Sequence, residues 1–179
     1  MTLVLRVIRQ YRWDSPDKYD WLAEGDVPAD PLADFANTRG NSLSVWFVDD
    51  EEKGLERVLA ALAANREKAD KLDYVLFTQN HLEAGGIERR QISGTTPDEH
   101  VNEQHWDLIH LSARKVLTLT ERVWHDHLEP KRVDKRMVVQ LVAEGVRDGR
   151  ISTGRLLPKL REDVRRYLEG DADEPRKPR

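Results

Sequence analysis

The sequence predicts an α/β or α+β fold in one domain, in which a small mixed sheet of three or four strands packs against a C-terminal layer of three helices. Two observations predict it. The first half of the 179-residue chain carries short runs rich in β-branched and aliphatic residues. The second half carries apolar residues at helical spacing. A chain of this length buries a core without disulfides, and this one contains no cysteine.

The first half contains a predicted strand–helix–strand unit. Residues 2–11 and 42–48 are apolar on both alternating faces, which is typical of strands covered on both sides. After the second run, Asp50 is a candidate N-cap for a helix, and a third apolar run follows at 73–78. A helix that joins two strands within about 35 residues predicts a parallel βαβ unit. A fourth strand is predicted at 87–93, after a Gly-Gly turn.

The second half predicts three helices. A capping box with proline at the first helical position lies at residues 96–99, and the apolar spacing continues to Pro130, which predicts one long helix. Asp134 is a candidate N-cap for the next helix, and Gly149 follows the end of that helix. Apolar residues at helical spacing predict the third helix at 156–168.

These elements divide the chain into a sheet half at 1–94, with an acidic aromatic insertion at 12–41, and a helical half at 95–170 that packs on it within the same domain. Residues 171–179 have one small apolar side chain and are predicted to form a disordered tail. Connections as long as the insertion are usually functional or disordered. Helix-start signals predict two short helices inside it, at 16–24 and 31–36.

Composition limits the class of protein. Charged residues make up 35% of the chain, and no apolar run is long enough to cross a membrane. Arg6 and Arg9 interrupt the N-terminal apolar run, which argues against a signal peptide. We therefore expect a cytoplasmic protein without a membrane partner. Arginine outnumbers lysine by 20 to 9, as in GC-rich coding, which favours a bacterial source.

The acidic aromatic insertion is the main candidate for function. Residues 13–34 carry seven acidic side chains and one basic side chain, with aromatic rings interleaved. Aromatic anchors and a negative field are typical of an interface with a basic protein surface. The same pattern also fits aromatic rings that fold back over the sheet edge. The interface interpretation predicts a non-catalytic intracellular protein-binding module, a subunit or regulator of a larger bacterial assembly. Its predicted partner-binding residues are Trp13, Asp17, Tyr19, Asp20, Trp21 and Phe35.

An enzyme is the alternative hypothesis. Ligands bind at the carboxyl ends of the strands in parallel sheets, and Asp49, Asn80 and His81 follow two of the predicted strands. Carboxylate, amide and imidazole groups suit a metal-assisted hydrolase or nuclease. The same residues also fit a helix cap and a polar loop. The sequence therefore favours a binding protein over an enzyme, and we expect no cofactor and no resident metal.

Nucleic-acid binding is the third hypothesis. Basic side chains decorate the last two predicted helices, and residues 101–179 carry a net charge of +3 against −7 for residues 1–100. Acidic side chains stand between the basic ones, which dilutes the positive field that phosphate contacts require. We therefore expect no measurable binding of duplex DNA near physiological salt.

Overall fold

Six strands form one antiparallel sheet within the part of the chain that the structure describes. The structure is a computed structural model and describes residues 2–9, 13, 18–48, 53–126 and 130–170. The spatial order of the strands is β4-β5-β2-β1-β3-β6. They are β1 (Leu3–Val7), β2 (Leu43–Val48), β3 (Leu72–Thr78), β4 (Glu88–Gln91), β5 (His105–Ile109) and β6 (Lys131–Val133).

The predicted mixed sheet of three or four strands is therefore wrong, although the mixed α/β class fits. The predicted strand–helix–strand unit exists, but its two strands are not neighbours. β1 lies between them and pairs antiparallel with both, with Leu3 opposite Val48 on one side and Thr78 on the other. The apolar run of β1 suits this central position because both of its edges are paired and its middle residues Val4 and Leu5 are buried.

The described residues also form seven α-helices, so the predicted layer of three helices is wrong as well. The longest of them have 13 residues, and none of the described helices has the length and apolar composition that a membrane span requires. A short 3₁₀ turn lies at Thr153–Arg155. The helices are α1 (Ala29–Ala36), α2 (Lys53–Ala64), α3 (Gln79–Ala84), α4 (Glu99–Glu103), α5 (Ala113–His125), α6 (Lys135–Arg147) and α7 (Pro158–Glu169).

The predicted long helix between residues 96 and 130 is replaced by α4, β5 and α5. The middle of this stretch pairs with two strands, since Trp46 of β2 lies opposite His105 and Gln91 of β4 lies opposite Trp106. His110 then adopts a positive φ of 52°, which ends the strand and is incompatible with a continuous helix. Strand pairing across the chain therefore overrides a local pattern that favours a helix.

The two C-terminal helices begin close to their predicted positions. Asp134 caps α6 by accepting a hydrogen bond from the backbone N–H of Met137 at 2.8 Å. Gly149 follows α6 with a φ of +72°, a conformation that favours glycine. Within the insertion, α1 includes the predicted helix at 31–36, whereas residues 18–24 form no α-helix.

The chain groups into two compact units. Unit 1 comprises Met1–Glu51, Asp73–Gly94 and Glu103–Arg132. Its core lies where α1 and α5 pack on one face of the sheet, around the largest buried rings Phe35 and Phe77. Unit 2 comprises Glu52–Leu72, Thr95–Asn102 and Val133–Arg179, and in it α6 packs against both α2 and α7. The predicted tail at 171–179 lies outside the described residues.

Gly145 marks a close approach within unit 2. A Cβ atom at this position of α6 would lie 2.6 Å from Cδ1 and 3.2 Å from Cγ1 of the buried Ile151. We expect Gly145→Ala to lower the free energy of unfolding by about 1 to 2 kcal/mol, because overpacking outweighs the better helix propensity of alanine. Urea denaturation measures the change. The loss is expected to shrink in an Ile151→Val background, which lacks Cδ1, and an equal loss in both backgrounds would contradict this account.

Candidate protein-binding surface

Asp34 anchors the acidic insertion to the core of unit 1. Its carboxylate is buried and accepts hydrogen bonds from the indole N–H of Trp13 and the backbone N–H of Arg9, each at 3.0 Å. The guanidinium of Arg6 donates to the backbone carbonyls of Asp34 (3.2 Å) and Ser44 (3.0 Å). Burial lowers the pKa of Arg6 to about 10, and the charge of Asp34 acts against that shift. One of the seven acidic side chains in the insertion therefore points inward and has a structural role.

A series of aromatic contacts leads from this anchor to the surface. Phe35 and Trp124 each contact Trp13, with ring centroids 5.9 Å apart in both pairs. Tyr19 packs edge-on against Trp124 at 5.9 Å, and Trp21 packs edge-on against Tyr19 at 5.7 Å. Trp13 is 6% exposed, whereas Trp21 is 69% exposed. Trp21 is therefore an exposed indole that rests on a ring packed against the core.

Local backbone bonds hold the segment that carries Trp21. The N–H of Leu22 donates to the carbonyl of Tyr19 at 3.0 Å, and the N–H of Asp26 donates to the carbonyl of Ala23 at 3.0 Å. Gly25 lies inside the second turn with a φ of +83°, which glycine adopts without steric cost. Two successive turns therefore shape the segment that carries Trp21 at the surface.

Exposed carboxylates surround this indole in the sequence. Asp20, Glu24, Asp26 and Asp30 are all exposed, and Lys18 is the one basic residue between positions 18 and 34. Exposed carboxylates of this kind produce a negative local potential. We define the Trp21 surface as Tyr19, Asp20, Trp21, Glu24, Asp26 and Asp30.

The six residues predicted to bind a partner fall into three groups. Tyr19, Asp20 and Trp21 lie together on the Trp21 surface. Trp13 and Phe35 lie in the core of unit 1, so their rings are not available to a partner in this fold. Asp17 lies outside the described residues. Sequence reasoning did not distinguish the core rings from the surface ring, because both kinds alternate with acidic residues in one segment.

The residues of the enzyme hypothesis lie in a different part of unit 1. His81 is 8% exposed, and its Nδ1 accepts a hydrogen bond from the backbone N–H of Thr78 at 3.2 Å. Its Nε2 lies 2.5 Å from Oδ2 of Asp126, the C-cap residue of α5. Asn80 is exposed, and Asp49 lies outside the described residues. The described contacts of His81 therefore give it a structural role, in which it caps α3 and joins α3 to α5.

The enzyme hypothesis expects β2 and β3 to be neighbours, so that the residues that follow them share one cleft, but β1 lies between the two strands. β2 and β3 end at the same side of the sheet, but β1 separates Val48 from Thr78, so the two strand ends are not adjacent. Among the described residues, no group of three His, Asp or Glu side chains is placed to hold a metal ion. The hydrolase alternative stays a prediction.

Three basic side chains of the last helix contact acidic neighbours. Arg165 and Arg166 of α7 both contact the carboxylate of Glu162, at 2.9 Å each. Lys159 contacts Glu67 of α2's C-terminal loop at 2.7 Å. Pairs of this kind reduce the positive field available to phosphate groups. The absence of DNA binding near physiological salt stays a prediction.

Comparison of the chain with protein-family models, with curated proteins and with solved structures found no significant match. Inferences about its function therefore depend on the geometry of the chain itself.

Proposed function

We propose that this chain is a non-catalytic protein-binding module that captures a basic partner through the Trp21 surface. The observation that carries the proposal is Trp21, an indole that is 69% exposed, packs against Tyr19 and is flanked in the sequence by exposed acidic residues. Its composition also leads us to propose an intracellular, bacterial setting, in which the module serves as a subunit or regulator of a larger assembly.

The exposed indole offers a large gain on binding. A tryptophan side chain presents roughly 200 Å² of surface, so a partner that covers Trp21 removes more than roughly 100 Å² from water. At about 25 cal/mol per Å², this burial contributes about 3 kcal/mol. The edge-on contact with Tyr19 orients the indole before binding, which lowers the entropic cost of association. Tryptophan is accordingly among the residues that dominate interface energetics.

The carboxylates determine which partner is favoured. Asp20, Glu24, Asp26 and Asp30 are exposed, so they stay hydrated in the free chain and attract lysine and arginine side chains at the rim of an interface. Rim charges mainly increase the rate of association, and salt weakens their effect. We therefore propose a partner segment with one apolar pocket or loop for Trp21 and several basic side chains around it.

Selection from a random peptide library tests this proposal. Peptides selected on the wild-type chain are expected to be rich in lysine and arginine and to lose affinity by about tenfold or more in Trp21→Ala. Met137→Ala is the matched control, because it removes another exposed apolar side chain, from α6 of unit 2, and is expected to leave the affinity unchanged. Dissociation constants measured by fluorescence anisotropy give the comparison.

A second pair of variants tests the role of charge. Asp20→Asn with Glu24→Gln is expected to weaken the selected peptides and to reduce the dependence of their affinity on salt. Glu56→Gln with Glu99→Gln removes the same charge from exposed positions of unit 2 and serves as the control. Peptides without an excess of basic residues, or equal binding to Trp21→Ala and wild type, would rule out the proposed surface.

A further inference from the structure

β4 forms the end of the sheet, and one of its edges has no strand beside it among the described residues. Its other edge pairs with β5, with Arg90 opposite Asp107. The N–H of Ile92 donates to the carbonyl of His105 at 3.4 Å, which continues the same ladder. The backbone N–H and C=O groups alternate in direction from one residue of a strand to the next. Those of Glu88, Arg90 and Ile92 therefore point toward β5. Those of Arg89 and Gln91 point to the free edge.

The side chains of this edge carry net positive charge. Arg89 lies over the rings of Phe47 in β2 and Trp106 in β5, at 5.0 and 5.5 Å from their centroids, which holds its guanidinium on the face of the sheet that carries these rings. Arg90 points to the opposite face of the sheet and is exposed. The carboxylate of Glu88 contacts Nδ1 of His110 at 3.0 Å and Nζ of Lys115 at 3.5 Å. The acidic residue of the strand therefore has basic neighbours, whereas neither Arg89 nor Arg90 forms an ion pair within the part of the chain that the structure describes, although Arg90 lies opposite Asp107.

We propose that β4 binds an extended acidic segment of another protein by strand addition. The free N–H and C=O groups of Arg89 and Gln91 offer the pattern that an added strand requires, and side chains on the two faces provide specificity. Residues opposite Arg89 and Arg90 are consecutive in an added strand. The segment that fits therefore carries two adjacent acidic residues, one on each face of the sheet.

A second copy of this chain fits the edge less well. If the β4 strands of two copies paired antiparallel, two registers would align three residues of each strand and use the free backbone N–H and C=O groups of Arg89 and Gln91. One of them places Arg89 opposite its own counterpart and Glu88, which already contacts His110 and Lys115, opposite Arg90. The other places Arg90 opposite its own counterpart. Like charges directly opposite each other destabilise strand pairing. An acidic strand avoids this repulsion and gains attraction at the same two positions.

The test uses a short synthetic peptide of threonine and valine with two adjacent glutamates at its centre, and the full-length chain. Peptide binding is expected to slow hydrogen exchange at the backbone amides of Arg89 and Gln91. A peptide with lysines in place of the glutamates is expected to bind at least about tenfold more weakly, and Arg90→Glu is expected to reverse that preference. Trp21→Ala is expected to leave peptide binding unchanged, which separates this edge from the Trp21 surface.

Proline at position 91 tests strand addition directly. The N–H of Gln91 points away from β5, so Gln91→Pro preserves the β4–β5 ladder and removes a donor from the free edge. It also removes the side-chain hydrogen bond from Gln91 to the carbonyl of Glu103, and Gln91→Ala is the matched control because it removes that bond while keeping the N–H. We expect Gln91→Pro to abolish peptide binding and Gln91→Ala to retain it.

Three results would overturn the proposal. The first is equal binding of the glutamate and lysine peptides. The second is peptide binding that Gln91→Pro leaves intact, or dimerisation of the chain that Gln91→Pro abolishes, which would assign the edge to a second copy. The third is Arg90-dependent binding of a short single-stranded oligonucleotide without binding of the glutamate peptide. If Gln91→Pro lowers the melting temperature, the reversed preference of Arg90→Glu decides the question.

Discussion

Replacing Trp13 with alanine is expected to lower the free energy of unfolding by about 3 to 5 kcal/mol, as large-to-small changes of buried aromatic residues do. The Trp13 ring is buried between Phe35 and Trp124, and its indole N–H donates to the carboxylate of Asp34. Alanine leaves a cavity and removes one of the donors that satisfy a buried carboxylate. Urea denaturation followed by circular dichroism measures the loss.

Trp21→Ala is the control for this prediction, because the two residues belong to the same aromatic segment. Trp21 is exposed, so its removal is expected to change the free energy of unfolding by less than about 0.5 kcal/mol. Losses of similar size in the two variants would contradict the division between core rings and surface ring. A loss of binding in Trp13→Ala alone would not identify a contact with a partner, because Trp13 supports Trp124 and Trp124 supports Tyr19.

Arg57→Ala is expected to lower the free energy of unfolding by about 2 to 3 kcal/mol, less than for a fully buried ion pair, because Asp98 is buried but the Arg57 side chain is 31% exposed. Asp98 is 2% exposed and accepts from Nε and Nη2 of Arg57 at 2.7 and 2.9 Å. Without Arg57, the backbone N–H groups of Val101 and His100 remain as donors to that carboxylate, the latter at 3.1 Å, but no counterion does among the described contacts. A buried carboxylate without a counterion is strongly unfavourable.

The pH dependence of this variant gives a second readout. Burial acts to raise the pKa of Asp98, but the hydrogen bonds and charge of Arg57, together with the backbone N–H groups of Val101 and His100, outweigh burial and hold the pKa below its usual value of 3.8. In the wild type, ionised Asp98 therefore contributes stability that is fully present above the unfolded pKa and is lost as the pH falls through the lower folded pKa. In Arg57→Ala, burial is no longer opposed by Arg57, so the deficit is expected to shrink on acidification, when Asp98 takes up a proton.

Arg166→Ala is the matched control for Arg57→Ala, since Arg166 contacts Glu162 on the surface of α7. A surface pair of this kind is expected to contribute less than about 1 kcal/mol. The double variant Arg57→Ala with Asp98→Asn is expected to recover part of the loss, because asparagine carries no charge to bury. Equal losses in Arg57→Ala and Arg166→Ala at neutral pH would show that the Arg57–Asp98 pair is not buried in solution.

Local patterns predicted those elements whose formation depends on neighbouring residues. The side chain of Asp134 reaches the N–H of Met137 three residues later, so the start of α6 is encoded within one turn. The runs that form β1, β2 and β3 have strand composition whatever their partners are. The order of the strands in the sheet, by contrast, does not follow from local patterns. Insertion of β1 between β2 and β3 depends on pairing between residues more than 40 positions apart, such as Leu3 with Val48.

For the candidate binding surface too, some features follow from the sequence and others only from tertiary contacts. Residue types alone determined that 13–34 is an acidic segment with interleaved aromatic rings, and that it is a candidate interface. Burial of Trp13 and exposure of Trp21 were decided by tertiary contacts, because Asp34 and Trp124 hold one ring and leave the other at the surface. β5 was likewise decided by partners, since its residues pair with β2 and β4. Hydrogen bonds within a turn depend on residues that are neighbours in the sequence, whereas strand pairing and burial depend on residues that meet only after the chain has folded.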